Sequence, residues 1–444
     1  MKKYNIASAL LLMLVLFGIT SCDKFLDITP IGSVIPSTEE DFRSLMVGAY
    51  KEMPSDRGMA DLRSGDMYVS KNEHDQNSYH DIEIWNESTL NKTVASFEWA
   101  RYYSALMIAN NVLDKKDKFE KGTPEGTNQI VGEAYMLRAY IHFTLVNLYG
   151  QPYTKPGAPQ SRAIPVKQNI ILDETLPRNT VEEVYKSIDS DMKEAERLIN
   201  KAKWEASYNY RFSATAVQAF KSRYKLYQGK WQESLDASKK VLAVNAALVN
   251  MNDKDAKLPN LFTSPEIITA WEINPSSNIL RAATVSQSLL DMYQKGDQRR
   301  SKYFSAPTDG IVKAIKGGKD EYRCTFRTGE IYLNAAEAAA HLGQTEQART
   351  YLLTLQKNRF TPDAYPTKET EVKGMNAEQL LKEILTERVR ELTFEGHRWF
   401  DLRRTTRPEI VKTFGTQKYI LKADDPRYTI QIPKEAIEAN PKLK

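Results

Sequence analysis

The stretch from Asn376 to Arg404, NAEQLLKEILTERVRELTFEGHRWFDLRR, constrains the fold more than any other part of the chain. Asn376 followed three positions later by Gln379 is the signature of a reciprocal helix N-cap, and Pro408 requires the helix to have ended before it. Leu381, Leu385, Val389, Leu392, Gly396 and Trp399 recur at three- and four-residue steps, which predicts one apolar face with Gly396 at a point of close backbone approach. Glu387, Arg390, Glu391, Glu395, Arg398, Asp401 and Arg404 fall on the other faces, with Glu387 and Arg390, and Asp401 and Arg404, three apart. The spacing predicts a continuous amphipathic helix with a charge-laced outer surface. Glu387, Glu391, Glu395, His397 and Asp401 are also the residue types of acid–base or glycosidic chemistry, but structural ion pairs produce the same pattern. A zinc helix needs two histidines four apart on one face, and His397 has no such partner.

With 41% hydrophobic and 27% charged residues over 444 positions, the chain has globular composition and the length for an extensive core. Its beginning differs. Lys2 and Lys3 precede an apolar run over 7–19, and Ile19-Thr20-Ser21-Cys22 follows, which predicts a secretory signal over 1–21. The apolar-small-small-Cys ending resembles a bacterial lipobox, with Cys22 as the lipidated residue. Cys324 is then the one remaining thiol, so no disulfide is expected within the chain. The formal charge is +5, with 62 basic and 57 acidic residues. Loss of Lys2 and Lys3 with the signal leaves a near-balanced chain with no basic footprint for nucleic acid. No P-loop, GxSxG, CxxC or metal-ligand spacing occurs, so neither cofactor nor metal is expected.

Ser37 with Glu40 predicts a cap for a first helix ending near Met53-Pro54. From Gly58 to Asn91 periodicity is lost apart from a short strand at Met67-Tyr68-Val69, which predicts a long polar loop. Helices follow over 94–113, 129–149 and, capped by Thr180 and Glu183, to about Ile199. Two helix pairs come next: Ala214 to Tyr227 with Glu233 to Leu242, turning at Gly229, and Glu330 to Leu342 with Glu346 to Lys357, turning at Gly343. In both, a small residue, Ser234 or Ala348, stands five positions after the glycine, where the helices must cross. This is a degenerate tetratricopeptide pattern. Between the pairs, 266–273 reads as a short strand and 289–294 as a brief helix.

A sugar ring offers a face of C–H groups and a rim of hydroxyls, so its site needs flat aromatics and planar amides or carboxylates. The stretch from 68 to 85 supplies Tyr68, Tyr79 and Trp85 as platforms and Asn72, Asp75, Gln76 and Asn77 as partners, and Tyr293, Arg299, Tyr303 and Phe304 are expected to face it. Trp85 fits equally a tryptophan that pins its loop to the core. Trp99, Trp231, Trp271 and Trp399 lie on periodic or strand-like segments and are read as core, while Trp204 stays open.

ERVRELTFEGHRWFDLRR, the CDKFLD tether after the lipobox, the helix EAYMLRAYIHFTLVNLYG and the closing segment 428–433 with Asn440-Pro441 together resemble the SusD/RagB family of outer-membrane nutrient-binding lipoproteins. The resemblance runs from Cys22 almost to the end. It implies a signal peptide over 1–21 and a SusD-like domain over 22–444, with helix pairs in 22–250 and a C-terminal part over 251–444. The implied fold is all-α, with degenerate tetratricopeptide helix pairs packed against an irregular, loop-rich half with a few short strands. It further implies a non-catalytic lipoprotein at the cell surface that binds oligosaccharides and delivers them to a TonB-dependent transporter of the SusC type. The family's ligand sites are likewise built from a stretch before the repeats and one between them. A peptide-binding, RagB-like role and a glycosidase using paired carboxylates are the alternatives.

Overall fold

The computed structural model describes residues 36–86 and 94–444; the signal segment and Cys22 lie outside these. The main helices are α1 (Glu39–Glu52), α2 (Glu73–Glu83), α3 (Trp99–Asp114), α4 (Pro124–Tyr149), α5 (Val181–Leu198), α6 (Ala214–Tyr227), α7 (Trp231–Val244), α8 (Thr328–His341), α9 (Thr345–Lys357), α10 (Tyr365–Gly374), α11 (Ala377–Leu392) and α12 (Arg398–Arg404). Among the described residues six short strands form three antiparallel pairs: β1 (Met67–Val69) with β3 (Ala283–Val285), β2 (Ile267–Thr269) with β4 (Phe326–Arg327), and β5 (Ile410–Phe414) with β6 (Gln417–Leu421). The protein is thus mostly helical with small strand pairs, as the resemblance implies.

The helices pack against one another in a connected series. α1 lies on α3 and α4, α4 on α5, α6 on α7, α7 on α8, and α8 on α9 and α11. Glycine punctuates both tetratricopeptide-like turns, because Gly229 (φ +70°) and Gly343 (φ +73°) take the left-handed conformation that other residues adopt at a cost. Ser234 is fully buried where α6 and α7 cross, its hydroxyl donating to Ser222 O at 2.8 Å, and Ala348 is fully buried at the matching point of α8 and α9. α5 carries the expected capping box of Thr180 and Glu183. At α1 the box forms one residue later than expected, between Thr38 and Asp41, whose carboxylate accepts from both Ser37 N and Thr38 N.

Two features of the 376–404 stretch depart from expectation. The helix is not continuous: α11 stops at Leu392, Phe394 (φ +61°) and Gly396 (φ +70°) turn the chain, and α12 starts afresh at Arg398. The break admits the segment 56–63, whose Arg57 donates to Gly396 O (3.1 Å) and whose Asp61 accepts from Gly396 N (3.2 Å). A Cβ on Gly396 would stand 2.8 Å from Arg57 Cβ, so only glycine fits there. The charged faces are not surface either. Leu380 and Ile384 are buried on α11 together with the expected Val389 and Leu392, Leu381 and Leu385 are half-buried, and Glu387, Arg388, Arg390, Glu391, Glu395 and Arg404 are buried.

These charges form a closed lattice. Glu391 accepts from Arg299 (2.9 Å), Arg327 (2.7 Å) and Arg359 (2.8 and 2.9 Å). Glu395 is held by Arg327 and Lys316, Glu387 by Arg299 and Arg390, and Glu266 by Arg327 and Arg359. A second cluster joins Arg388 and Arg404 to Asp401 and Glu337. Removing one member strands buried charge at a cost of about 3–5 kcal/mol. Glu391→Gln should therefore lower unfolding free energy by about that amount in urea titrations, whereas a change below about 1 kcal/mol would mean the carboxylate is solvated.

Burial would raise the Glu387 carboxyl, but Arg299 and Arg390 outweigh it and hold it at about 2. This lies below the unfolded value of about 4.3, so the stabilisation is present above that pH and is lost as pH falls through about 2. Urea midpoints should therefore drop steeply below about pH 4, and less steeply in Glu387→Gln.

Candidate ligand-binding face

The face begins at β1, where alternation leaves Tyr68 half-exposed between buried Met67 and Val69. Tyr68 pairs with Thr284 of β3, and Val285 N donates to Val312 O at 3.1 Å, so 67–69, 283–285 and the segment from 312 lie side by side. α2 follows directly. Asn72 is its N-cap, its side-chain oxygen accepting from His74 N (2.9 Å) and Asp75 N (3.4 Å). The long polar loop predicted over 58–91 apart from the strand at 67–69 is thus corrected: 56–60 and 73–83 are helical, the latter started by the Asn72 cap despite weak apolar periodicity, and 87–91 lie outside the described residues.

Asp75 is buried and accepts from Ser70 Oγ (2.7 Å) and Arg281 (2.8 Å), so it aims a half-exposed guanidinium across the face rather than meeting a ligand itself. Gln76 donates to Ser70 O and Val69 O, which fastens α2 to β1. Asn77 is exposed, its side chain without a hydrogen bond among the described residues, and Tyr79 is half-exposed. Lys313 donates to Arg281 O (3.0 Å) and Ala283 O (2.7 Å), bracing the same edge.

The β5–β6 hairpin closes the other side of α2. The His80 ring lies 5.0 Å from Phe414 and 5.3 Å from Tyr419. Phe414 and Ile420 on the hairpin, and Ile311 and Ile315 beside β3, are exposed large apolar residues. Among the described residues no group of His, Cys, Asp and Glu is arranged to hold a metal ion.

Trp85, Tyr293, Arg299 and Tyr303 are not on this face. Trp85 is 1% exposed at φ +61°, and its Nε1 donates to Arg63 O at 3.1 Å, which makes it the pin that ends α2. Tyr293 is buried and donates to Arg390 O (2.9 Å). Arg299 belongs to the ion lattice, and Tyr303 is fully buried under Lys316, whose ammonium stands 4.1 Å from its ring centre. Phe304 is buried against Tyr293. The neighbour of 68–79 is instead 281–285 with 312–315. The stretch 293–307 lines its own hollow of about 580 Å³, where Arg300 lies over Phe304.

His80, Arg281, Phe414 and Tyr419 join the face without having been expected. The hairpin had a readable signal: IVKTF and QKYIL flank the two-residue turn Gly415-Thr416, and Gly415 (φ +59°) supplies the positive φ such turns need. Arg281 had none, since its position depends on Asp75, far away in sequence.

The carboxylates that a glycosidase reading would use, Glu387, Glu391, Glu395 and Asp401, are all buried and ion-paired. Burial and Arg57 hold His397 well below the usual histidine range, so it is neutral. Burial and Glu395 push the Cys324 thiol up, leaving it inert.

Helix pairs that carry an exposed aromatic face on inserted segments define a repeat-type scaffold. The family described as "Starch-binding associating with outer membrane", of SusD-like type, matches residues 24–226, and the SusD family (SusD_RagB) matches 299–444. The chain belongs to the SusD family. It is 24% identical to "SusD-like protein P38" of Formosa agariphila over 92% of this chain and 93% of that protein. Its fold is similar to a putative sugar binding protein from Bacteroides vulgatus (TM-score 0.77, 23% identity, 93% of this chain and 99% of that one). It is also similar to a SusD superfamily protein from Bacteroides thetaiotaomicron (TM-score 0.75, 21% identity, covering 92% and 99%).

Since Trp85 is core, Trp85→Ala should cost about 3–5 kcal/mol of stability in chemical denaturation. A folded variant of unchanged stability would return Trp85 to the list of ligand contacts.

Proposed function

We propose that the protein is a non-catalytic lipoprotein of the outer-membrane surface, anchored through Cys22, that binds oligosaccharides and passes them to a TonB-dependent transporter of the SusC type. The observation that carries the sugar reading is the face itself. Tyr68 and Tyr79 offer partly open rings beside the uncommitted amide of Asn77 and the guanidinium aimed by Asp75. Flat apolar faces next to planar polar groups match a sugar's C–H face and hydroxyl rim. The SusD membership and the sugar-binding description of the Bacteroides vulgatus neighbour support the same ligand class. The commitment of the α11 and α12 carboxylates to structural ion pairs supports the non-catalytic reading. Tyr68, Asn72, Asn77 and Tyr79 are the proposed contacts, with Asp75 positioning Arg281.

Calorimetric titration against an oligosaccharide library tests this. Tyr79→Ala should retain the circular dichroism of the parent and weaken binding by about 0.5–1.5 kcal/mol. Unchanged affinity would take Tyr79 off the site, and release of new reducing ends from the glycan would replace binding by hydrolysis. Among the described residues no helix is long and apolar enough to cross a membrane. Anchoring is assigned to lipid on Cys22 from the lipobox Ile19-Thr20-Ser21-Cys22, and such chains contribute about 0.8 kcal/mol per buried methylene. Cys22→Ala should move the protein from the membrane to the soluble fraction, and retention with the outer membrane would contradict lipid anchoring through Cys22.

A further inference from the structure

A second concavity shares no residue with the candidate face. The N-terminal half of α3, the connection 165–176 and the C-terminal segment 433–443 enclose a cleft of about 900 Å³. Its walls are tied to one another. Tyr103 donates to Pro165 O (3.0 Å), Asn440 to Leu176 O (2.8 Å) and Lys442 to Thr175 O (3.1 Å), so the cleft is preformed. Trp99 and Tyr103 form its aromatic floor with ring centres 5.0 Å apart, and Trp99 is braced edge-on by Tyr149 at 4.9 Å. Neither ring is fully buried.

Two properties define the occupant. The first is the rim: Ile171 is 57% and Leu172 84% exposed, consecutive large aliphatic side chains that meet no core. The second is charge. Lys167 is neutralised by Glu174 (2.8 Å), Glu98 pairs with Arg101 (3.1 Å), and the Lys442 ammonium is turned onto Thr175 O. Asp173 and Glu435 are exposed and hold no ion pair among the described residues. The cleft thus presents aromatic and aliphatic surface edged by unpaired negative charge, on a chain whose formal charge is +5.

We propose that this cleft docks an internal segment of a partner protein, seating large apolar side chains on Trp99 and Tyr103 beside Ile171 and Leu172, with flanking lysines or arginines meeting Asp173 and Glu435. Aromatic anchors in a preformed pocket with a charged rim are where such interfaces concentrate their affinity. The proposal stands independently of the oligosaccharide reading.

The test uses two acetylated and amidated dodecapeptides with a Leu-Trp-Leu core, one flanked by lysines and one by glutamates, titrated into the full chain by fluorescence anisotropy. The lysine peptide should bind saturably and about tenfold more tightly than its glutamate counterpart. Leu172→Asp, at an exposed position that leaves folding intact, should weaken it by about tenfold or more. Asp173→Asn combined with Glu435→Gln should abolish the preference between the peptides without loss of fold. Absence of saturable binding, equal binding of both peptides, binding that needs free termini, or full affinity in Leu172→Asp would each overturn the proposal. So would an oligosaccharide whose affinity falls in Leu172→Asp but not in Tyr79→Ala.

Discussion

Around Glu391, three stretches of chain that are remote in sequence are bound to one carboxylate. Arg299, Arg327 and Arg359 converge on it from the segment after β3, from β4 and from the end of α9, and Arg327 and Arg359 also grip Glu266 at the start of β2. An ion buried alone is prohibitively unfavourable, so these segments are stable only in the arrangement that brings all the charges together. Burial opposes ionisation of Glu391, yet Arg359 and Arg327 hold it well below the usual carboxylate range. The lattice therefore joins the second tetratricopeptide-like pair to the irregular half of the molecule. The Gly396 contact with 56–58 ties in the N-terminal part. The face built on β1, α2 and β3 is mounted on that junction.

Much of the fold is legible where local chemistry decides it. The α6–α7 and α8–α9 pairs are readable because glycines at positive φ mark their turns, and α5 and α11 because a capping box fixes each start. At the first helix Ser37–Glu40 and Thr38–Asp41 are overlapping boxes with the same spacing, and only the fold selects the second. The break between α11 and α12 was hidden because residues 377–404 favour helix locally, and the approach of Arg57 that interrupts it is encoded elsewhere. The depth of Glu387 and Glu391 was hidden for the same reason. Opposite charges three residues apart look alike on a surface helix and in a buried lattice until the distant arginines are in place.

The site was legible in its residue types but only partly in its placement. Tyr68, Asn77 and Tyr79 reach the surface, while Trp85, Tyr293 and Tyr303, equally suited by chemistry, turn inward to satisfy the core. Composition identifies side chains that are able to stack on a sugar, and only packing decides which faces stay open. The resulting division is physical: rigidity comes from charges removed from water, and half-exposed rings stand on the segment around β1 and α2, where recognition is proposed.

Hydrogen–deuterium exchange of the full chain with and without a bound oligosaccharide tests that division most directly. New protection should be confined to 67–83, 281–285, 312–315 and the 410–421 hairpin, with the buried stretch 387–395 unchanged. Protection that appeared at 387–395 and left 67–83 untouched would place recognition on the charged lattice and contradict it.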